Sequence, residues 1–215
     1  MTKQIFIAGG SGRVATDLIS DLIGKGYEIV AGARHEDKII KMPGVARVHL
    51  DLHTSVDEIA HLMEGSDAVY FTAGSRGKDL LQTDAFGAVK TMQAAEKVGI
   101  KRYIMLSSLF SLEPEKWEKI PSLKSIMDYD IAKYFADNYL IYNTNLKYTI
   151  LQPTTLVEEE GTGKISLDKD VLKANPIPDV AKTLADILEF KKTIGKVIKM
   201  RGGDTPIKDA LASIK

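Results

Sequence analysis

Strand and helix signals alternate along nearly the whole sequence, and this alternation restricts the possible fold more than any other property of the chain. Gln4 to Ala8 is strand-like. Val14, Leu18, Ile19, Leu22 and Ile23 then recur at helical spacing and stop at Gly24 and Gly26, and Tyr27 to Ala33 is the next strand-like run. Further strand signals lie at Ala46 to Leu50, Ala68 to Ala73, Arg102 to Ser107, Tyr148 to Leu151 and Val197 to Met200. Helical signals lie at Val56 to Met63, Leu80 to Val98, Asp128 to Tyr142 and Val180 to Phe190. Parallel neighbours in a sheet need a crossover, which a helix supplies, so the pattern predicts a doubly wound α/β fold around a mostly parallel sheet. No repeat or Pro/Ser-rich linker divides the 215 residues, so residues 1–215 are expected to form a single domain. Residues of about 153–180 and 200–215 would supply a small C-terminal substrate region.

Composition removes several function classes. Lysine plus arginine and aspartate plus glutamate both total 29, which leaves no global field to attract nucleic acid or an anionic membrane. No apolar run approaches the roughly 20 residues needed to cross a bilayer, and Met1, Thr2 and Lys3 lead straight into the first strand signal. A soluble, cytoplasmic protein is expected, acting on a small molecule as a monomer or homodimer. The absence of cysteine excludes thiolate catalysis and cysteine-ligated zinc. His35, His49, His53 and His61 are scattered, and His49 and His53 flank a predicted strand end rather than sharing a helix face, so no metal site is assigned.

The first strand signal runs into Gly9, Gly10, Ser11 and Gly12, followed by Arg13, Val14 and Ala15. A glycine cluster is entropically costly unless the backbone must turn where side chains do not fit. Gly9, Gly12 and Ala15 stand at the spacing G-x-x-G-x-x-A between a strand and a helix. There the helix N-terminus offers free N–H groups to a pyrophosphate, and a small residue lets the helix pack close to the sheet. A dinucleotide is therefore expected on Gly9 to Val14. Selectivity for NAD usually requires an acidic residue about 20 positions further on, at the end of the second strand. The corresponding stretch is Gly32, Ala33, Arg34, and Arg34, helped by Arg13 and Lys38, suits a 2′-phosphate. NADP(H) is expected in preference to NAD(H).

These residues and those that follow them resemble an atypical short-chain dehydrogenase/reductase, of the small NAD(P)-binding, epimerase/dehydratase-like and NmrA-like group with a Rossmann fold. The similarity is carried by IAGGSGRVA, LDL at 50–52, YFTAGS at 70–75, the stretch 80–108, YDIAK at 129–133 and LKYTILQPTTLVEEEGTG at 146–163. It implies that Asp51 and Leu52 flank the adenine, that Thr72, Ala73 and Gly74 line the middle of the cofactor, and that Pro153, Thr154 and Thr155 pass beside the nicotinamide. It also implies a catalytic Ser108, Tyr129 and Lys133. Tyr129 and Lys133, four apart on a predicted helix, share a face, and an ammonium near a phenol favours ionisation, so Tyr129 is expected to exchange a proton near neutral pH. Lys133 would also hold the nicotinamide ribose, and Ser108, or the adjacent Ser107, would polarise a substrate carbonyl. Asp84 stands where most of the superfamily has asparagine, and would pair with Lys133 and restrain its charge effect on Tyr129, join a proton relay, or be a solvated helix aspartate.

Trp117, the single tryptophan, lies in the charged stretch Phe110 to Pro121, either closing over a substrate or packing on the domain. The short segment after residue 153 argues against nucleotide-sugar substrates. The sequence thus predicts an NADPH-linked oxidoreductase acting on a small carbonyl or quinone-like compound. The alternatives are a non-catalytic NADP(H)-sensing protein and an epimerase or dehydratase using bound cofactor.

Overall fold

The structure is a computed structural model and describes residues 3–167 and 173–215. It opens with β1 (Gln4–Ala8), α1 (Arg13–Gly24), β2 (Glu28–Ala33), β3 (Val45–His49), α2 (Val56–Met63) and β4 (Ala68–Phe71). A π-helical stretch over Leu80–Ala85 leads into α3 (Phe86–Lys97), followed by β5 (Arg102–Leu106), the short α4 (Pro121–Lys124), α5 (Met127–Tyr142) and β6 (Lys147–Pro153). The remaining elements are β7 (Leu156–Val157), β8 (Lys164–Ser166), β9 (Asn175–Pro176), α6 (Ile177–Ile187), β10 (Lys196–Gly202), β11 (Thr205–Pro206) and α7 (Ile207–Ala212).

The main sheet has nine strands in the order β11-β8-β10-β6-β5-β4-β1-β2-β3. From β3 to β10 every pairing is parallel, and β8 and β11 close one edge in antiparallel fashion. This is the doubly wound Rossmann arrangement that the alternation predicted. β4 is buried along its full length and β1 from Ile5 to Ala8, because helices cover both faces of a parallel sheet. On one face Leu18, Ile19 and Leu22 of α1 meet Val180, Ala181 and Leu184 of α6 in one apolar cluster. On the other, Ile59 and Met63 of α2 join Met92 of α3 and Ala136 and Leu140 of α5.

Chain order reverses between β1 and β4, and at such a switch point the loops leaving neighbouring strands diverge and open a crevice. Gly9 leaves β1 at φ +93°, and a Cβ there would stand 2.5 Å from the backbone of Ala73. The crevice therefore narrows to bare backbone at its base.

Two regions depart from the pattern read in the sequence. The expected helix over Leu80 to Val98 begins as a π-helical stretch, because Asp84 turns inward to accept the backbone N–H of Ser75 at 3.0 Å, and Thr83 bonds Asp79 at 2.5 Å. Residues 200–215 supply the end of β10, the edge strand β11 and α7, whose Ile207, Ala210 and Leu211 join the same apolar cluster as α1 and α6. Of the proposed substrate region, residues 168–172 lie outside the described residues.

Candidate active site

Two cavities open at the C-terminal end of the parallel strands. The first, of about 160 Å³, is lined by Gly9, Ser11, Gly12, Arg34, Leu52, Thr72, Ala73 and Gly74, all named from the sequence, together with Gly32, Ala33, His35, Leu50 and Thr83. Beside it the N-cap position of α1 is Gly12, which has no side chain to cap the helix, and no acidic residue occupies the first turn. The free N–H groups and partial positive charge of that end are left for an anion. This donor set, with Arg34 at the rim, fits a dinucleotide phosphate.

The other residues expected around the cofactor are placed differently. Gly10 donates its N–H to Gly32 O at 2.9 Å, and Val14 is buried in the core. Arg13 pairs with Glu158 at 2.8 Å, and neither it nor Lys38 is among the residues lining this cavity. Asp51 accepts the backbone N–H of His53 at 2.9 Å within its own loop. The structure brings Asp79 to the same neighbourhood, bonded to His53 Nε2 at 2.6 Å and to Thr83. Those two hydrogen bonds hold its carboxyl below the usual range, and the charge of Arg34 adds to the effect.

The second cavity, of about 230 Å³, lies between the ends of β5 and β6 and the start of α5. Ser107, Ser108, Tyr129, Pro153, Thr154 and Thr155 line it, with Leu106, Leu109, Phe110, Ile120, Leu123, Ile126 and Leu156 supplying most of the wall. Phe110 adopts φ +62°, uncommon for a bulky side chain. Its ring lies 3.8 Å from Lys116 Nζ and 5.4 Å from Lys199 Nζ, and Glu113 pairs with both lysines. Trp117 packs rather than covering the cavity: its Nε1 donates to Phe110 O at 2.9 Å, and its ring meets Tyr134 edge to face.

Between the cavities lies a buried polar cluster. Tyr129, Lys133 and Asp137, each four residues apart on α5, share one face of the helix. Lys133 Nζ donates to Leu106 O at 3.3 Å and stands 5.4 Å from the Phe71 ring centroid and 5.5 Å from that of Tyr129. Burial lowers the Lys133 pKa, while Asp84 and Asp137 act to raise it. Asp84 makes no ion pair with Lys133; it holds Ser75 and acts on the ammonium through space, and its Oδ1 meets no donor among the described residues.

Tyr129 is half-buried and lines the second cavity. Burial pushes its phenol well above the ordinary value, and Asp84, Asp130 and Asp137 add to the rise. Lys133 is surrounded by carboxylates, so its charge does not draw the phenol toward ionisation.

Asp137 distinguishes the two serines. It accepts from Ser107 Oγ at 2.7 Å, Ser111 Oγ at 2.6 Å and Gln152 Nε2 at 3.3 Å, so the Ser107 hydroxyl is committed inward. Ser108 lines the cavity and faces Asp130, whose carboxyl is pushed up to about 6 by burial; Ser108 opposes that shift, at a geometry short of a full hydrogen bond. Neither Asp130 nor Asp137 was singled out from the sequence, although Asp137 stands one helical turn beyond Lys133. Burial also pushes Asp137 up to about 6 from 3.8. The folded state therefore binds this proton more tightly than the unfolded chain, so stability from this group is full below about pH 4 and declines as pH rises through about 6. Asp137→Asn should flatten that decline, which denaturant midpoints measured at pH 5 and pH 7 would show.

A doubly wound sheet with an uncapped, glycine-lined helix start at its switch point defines a nucleotide-binding protein of the Rossmann class. Residues 9–191 match the NAD(P)H-binding family, and the chain belongs to that family. Among solved structures it is similar to the oxidoreductase ylbE from Lactococcus lactis, at 46% identity and a TM-score of 0.95, covering 98% of this chain and 96% of that one. It is also 34% identical to the uncharacterized sugar epimerase YhfK of Bacillus subtilis, over 98% of this chain and 100% of that protein. A wide-type short-chain dehydrogenase/reductase from Veillonella parvula, solved in complex with NADP, shares the fold at 18% identity and a TM-score of 0.75, covering 96% and 97% of the two chains. The protein is an NAD(P)-binding member of an oxidoreductase and epimerase-like group.

Proposed function

We propose that the protein is an NADPH-linked reductase of a small carbonyl or quinone-like compound. The observation that carries this reading is that Ser108 and Tyr129 together line a cavity whose walls are otherwise mostly apolar. A phenol held in its acid form suits the donation of a proton to a carbonyl oxygen, which is the requirement of reduction; oxidation of an alcohol would need a base there. The cofactor, when bound, supplies the hydride. Ser108 donates to the same carbonyl oxygen, and Tyr129 delivers its phenolic proton there as the alcohol forms. Lys133 would hold the nicotinamide ribose, Pro153 to Thr155 would flank the nicotinamide, and the glycine loop before α1 would take the pyrophosphate. The apolar walls keep water from the reacting carbonyl. None of the residues lining this cavity carries a charged side chain, which suits the apolar body of a carbonyl or quinone-like compound.

Arg34, at the rim of the first cavity, supports NADPH over NADH. Arg34→Ala is expected to weaken NADPH by about tenfold or more, the scale of a charge-assisted pair, and to change NADH binding little. Titration followed by cofactor fluorescence tests this, and equal loss for both cofactors would remove the selectivity argument. Screening neutral aldehydes and quinones for NADPH oxidation tests the reaction itself.

A further inference from the structure

The reacting cavity does not end at Tyr129. On the other side of Ile126 and Tyr129, which both cavities share, lies an open hollow of about 660 Å³ whose rim carries Arg76 and Lys124, with Asp128 as its carboxylate. Both cations are exposed, and neither forms an ion pair among the described residues. Arg76 is held at φ +54° directly before Gly77, a left-handed conformation that a non-glycine residue adopts only at a cost. The two chambers contrast in chemistry: the inner one is apolar and uncharged, while the outer one has a positive rim.

We propose that the substrate is amphipathic, an apolar carbonyl compound that carries an anionic group such as a carboxylate. Its apolar body and carbonyl occupy the inner cavity beside Ser108 and Tyr129, and its carboxylate reaches past Ile126 to Arg76 and Lys124. This inference rests on the reductase reading and adds the charge of the substrate to it. An arginine offers a carboxylate two parallel donors and a lysine adds a point charge, so the pair selects for an anion without burying it.

The test compares 6-formyl-2-naphthoate with its methyl ester, two aldehydes of the same apolar body that differ in charge, as substrates at saturating NADPH. In parallel, calorimetry follows 2-naphthoate binding to the NADP⁺ complex, a readout that needs no turnover. The wild type is expected to favour the acid over the ester by about tenfold in kcat/KM, equivalent to about 1.4 kcal/mol. In Arg76→Ala/Lys124→Ala the ratio should fall to near one and naphthoate binding should weaken by a similar factor. Arg76→Glu/Lys124→Glu should reverse the preference. Naphthoate binding that falls in the double variant while neither aldehyde is reduced would uphold the anion site and overturn the reductase reading. Reduction of both aldehydes with no preference, or naphthoate that does not bind or binds both proteins equally, would overturn the anion site.

Discussion

Tyr129→Phe is expected to lower the rate of carbonyl reduction by about 10²- to 10⁴-fold, the range that a positioned acid contributes, while NADPH binds as it does to the wild type. The phenylalanine keeps the ring that Lys133 faces at 5.5 Å and removes the proton donor alone. Cofactor titration and turnover measured on the same preparation separate the two effects. An unchanged rate would move the proton donor elsewhere, and retained partner binding without turnover in either protein would favour a sensor of NADP(H). The pH profile adds a second signature. The phenol remains protonated across the neutral range, so the rate should not fall with its deprotonation near pH 7.

The second large effect concerns stability. Gly9→Ala places a Cβ 2.5 Å from the Cα and N of Ala73 and asks alanine to adopt φ +93°. Strain of about 1–2 kcal/mol from the backbone, with a further 1–3 kcal/mol from overpacking against atoms that cannot move away, gives an expected loss of roughly 3 kcal/mol. The loss should appear as a lower denaturant midpoint and as failure to retain NADPH. A variant as stable as the wild type would mean that β1 and β4 separate more easily than their packing implies.

The parallel sheet was legible because its strands are short apolar runs bounded by turns, and α1 because Leu18, Ile19 and Leu22 repeat at the helical period. The glycine loop was legible because its spacing and its place between strand and helix coincide. The π-helical stretch was not, since its cause is a bond from Ser75 to Asp84 formed in three dimensions, and the periodicity of residues 80–98 carries no trace of it. The edge strands β8 and β11 are three and two residues long, too short to show alternation. The placement of Tyr129 and Lys133 on one face could be read directly. Of their electrostatics the influence of Asp84 on Lys133 was legible, whereas that of Asp137, one helical turn further along α5, was not. The partner of Arg13 could not be read either: Glu158, with which it pairs, is 145 residues away.

The fixed position of Trp117 makes the reacting cavity optically addressable. The indole hangs from the carbonyl of Phe110, a residue of the cavity wall, and the chain has one tryptophan. Emission excited selectively from that indole comes from one place in the molecule, so a compound that displaces Phe110 should register as a spectral shift without any label. A quinone seated against the same wall would quench it, giving occupancy of the cavity a signal separate from the fluorescence of the cofactor.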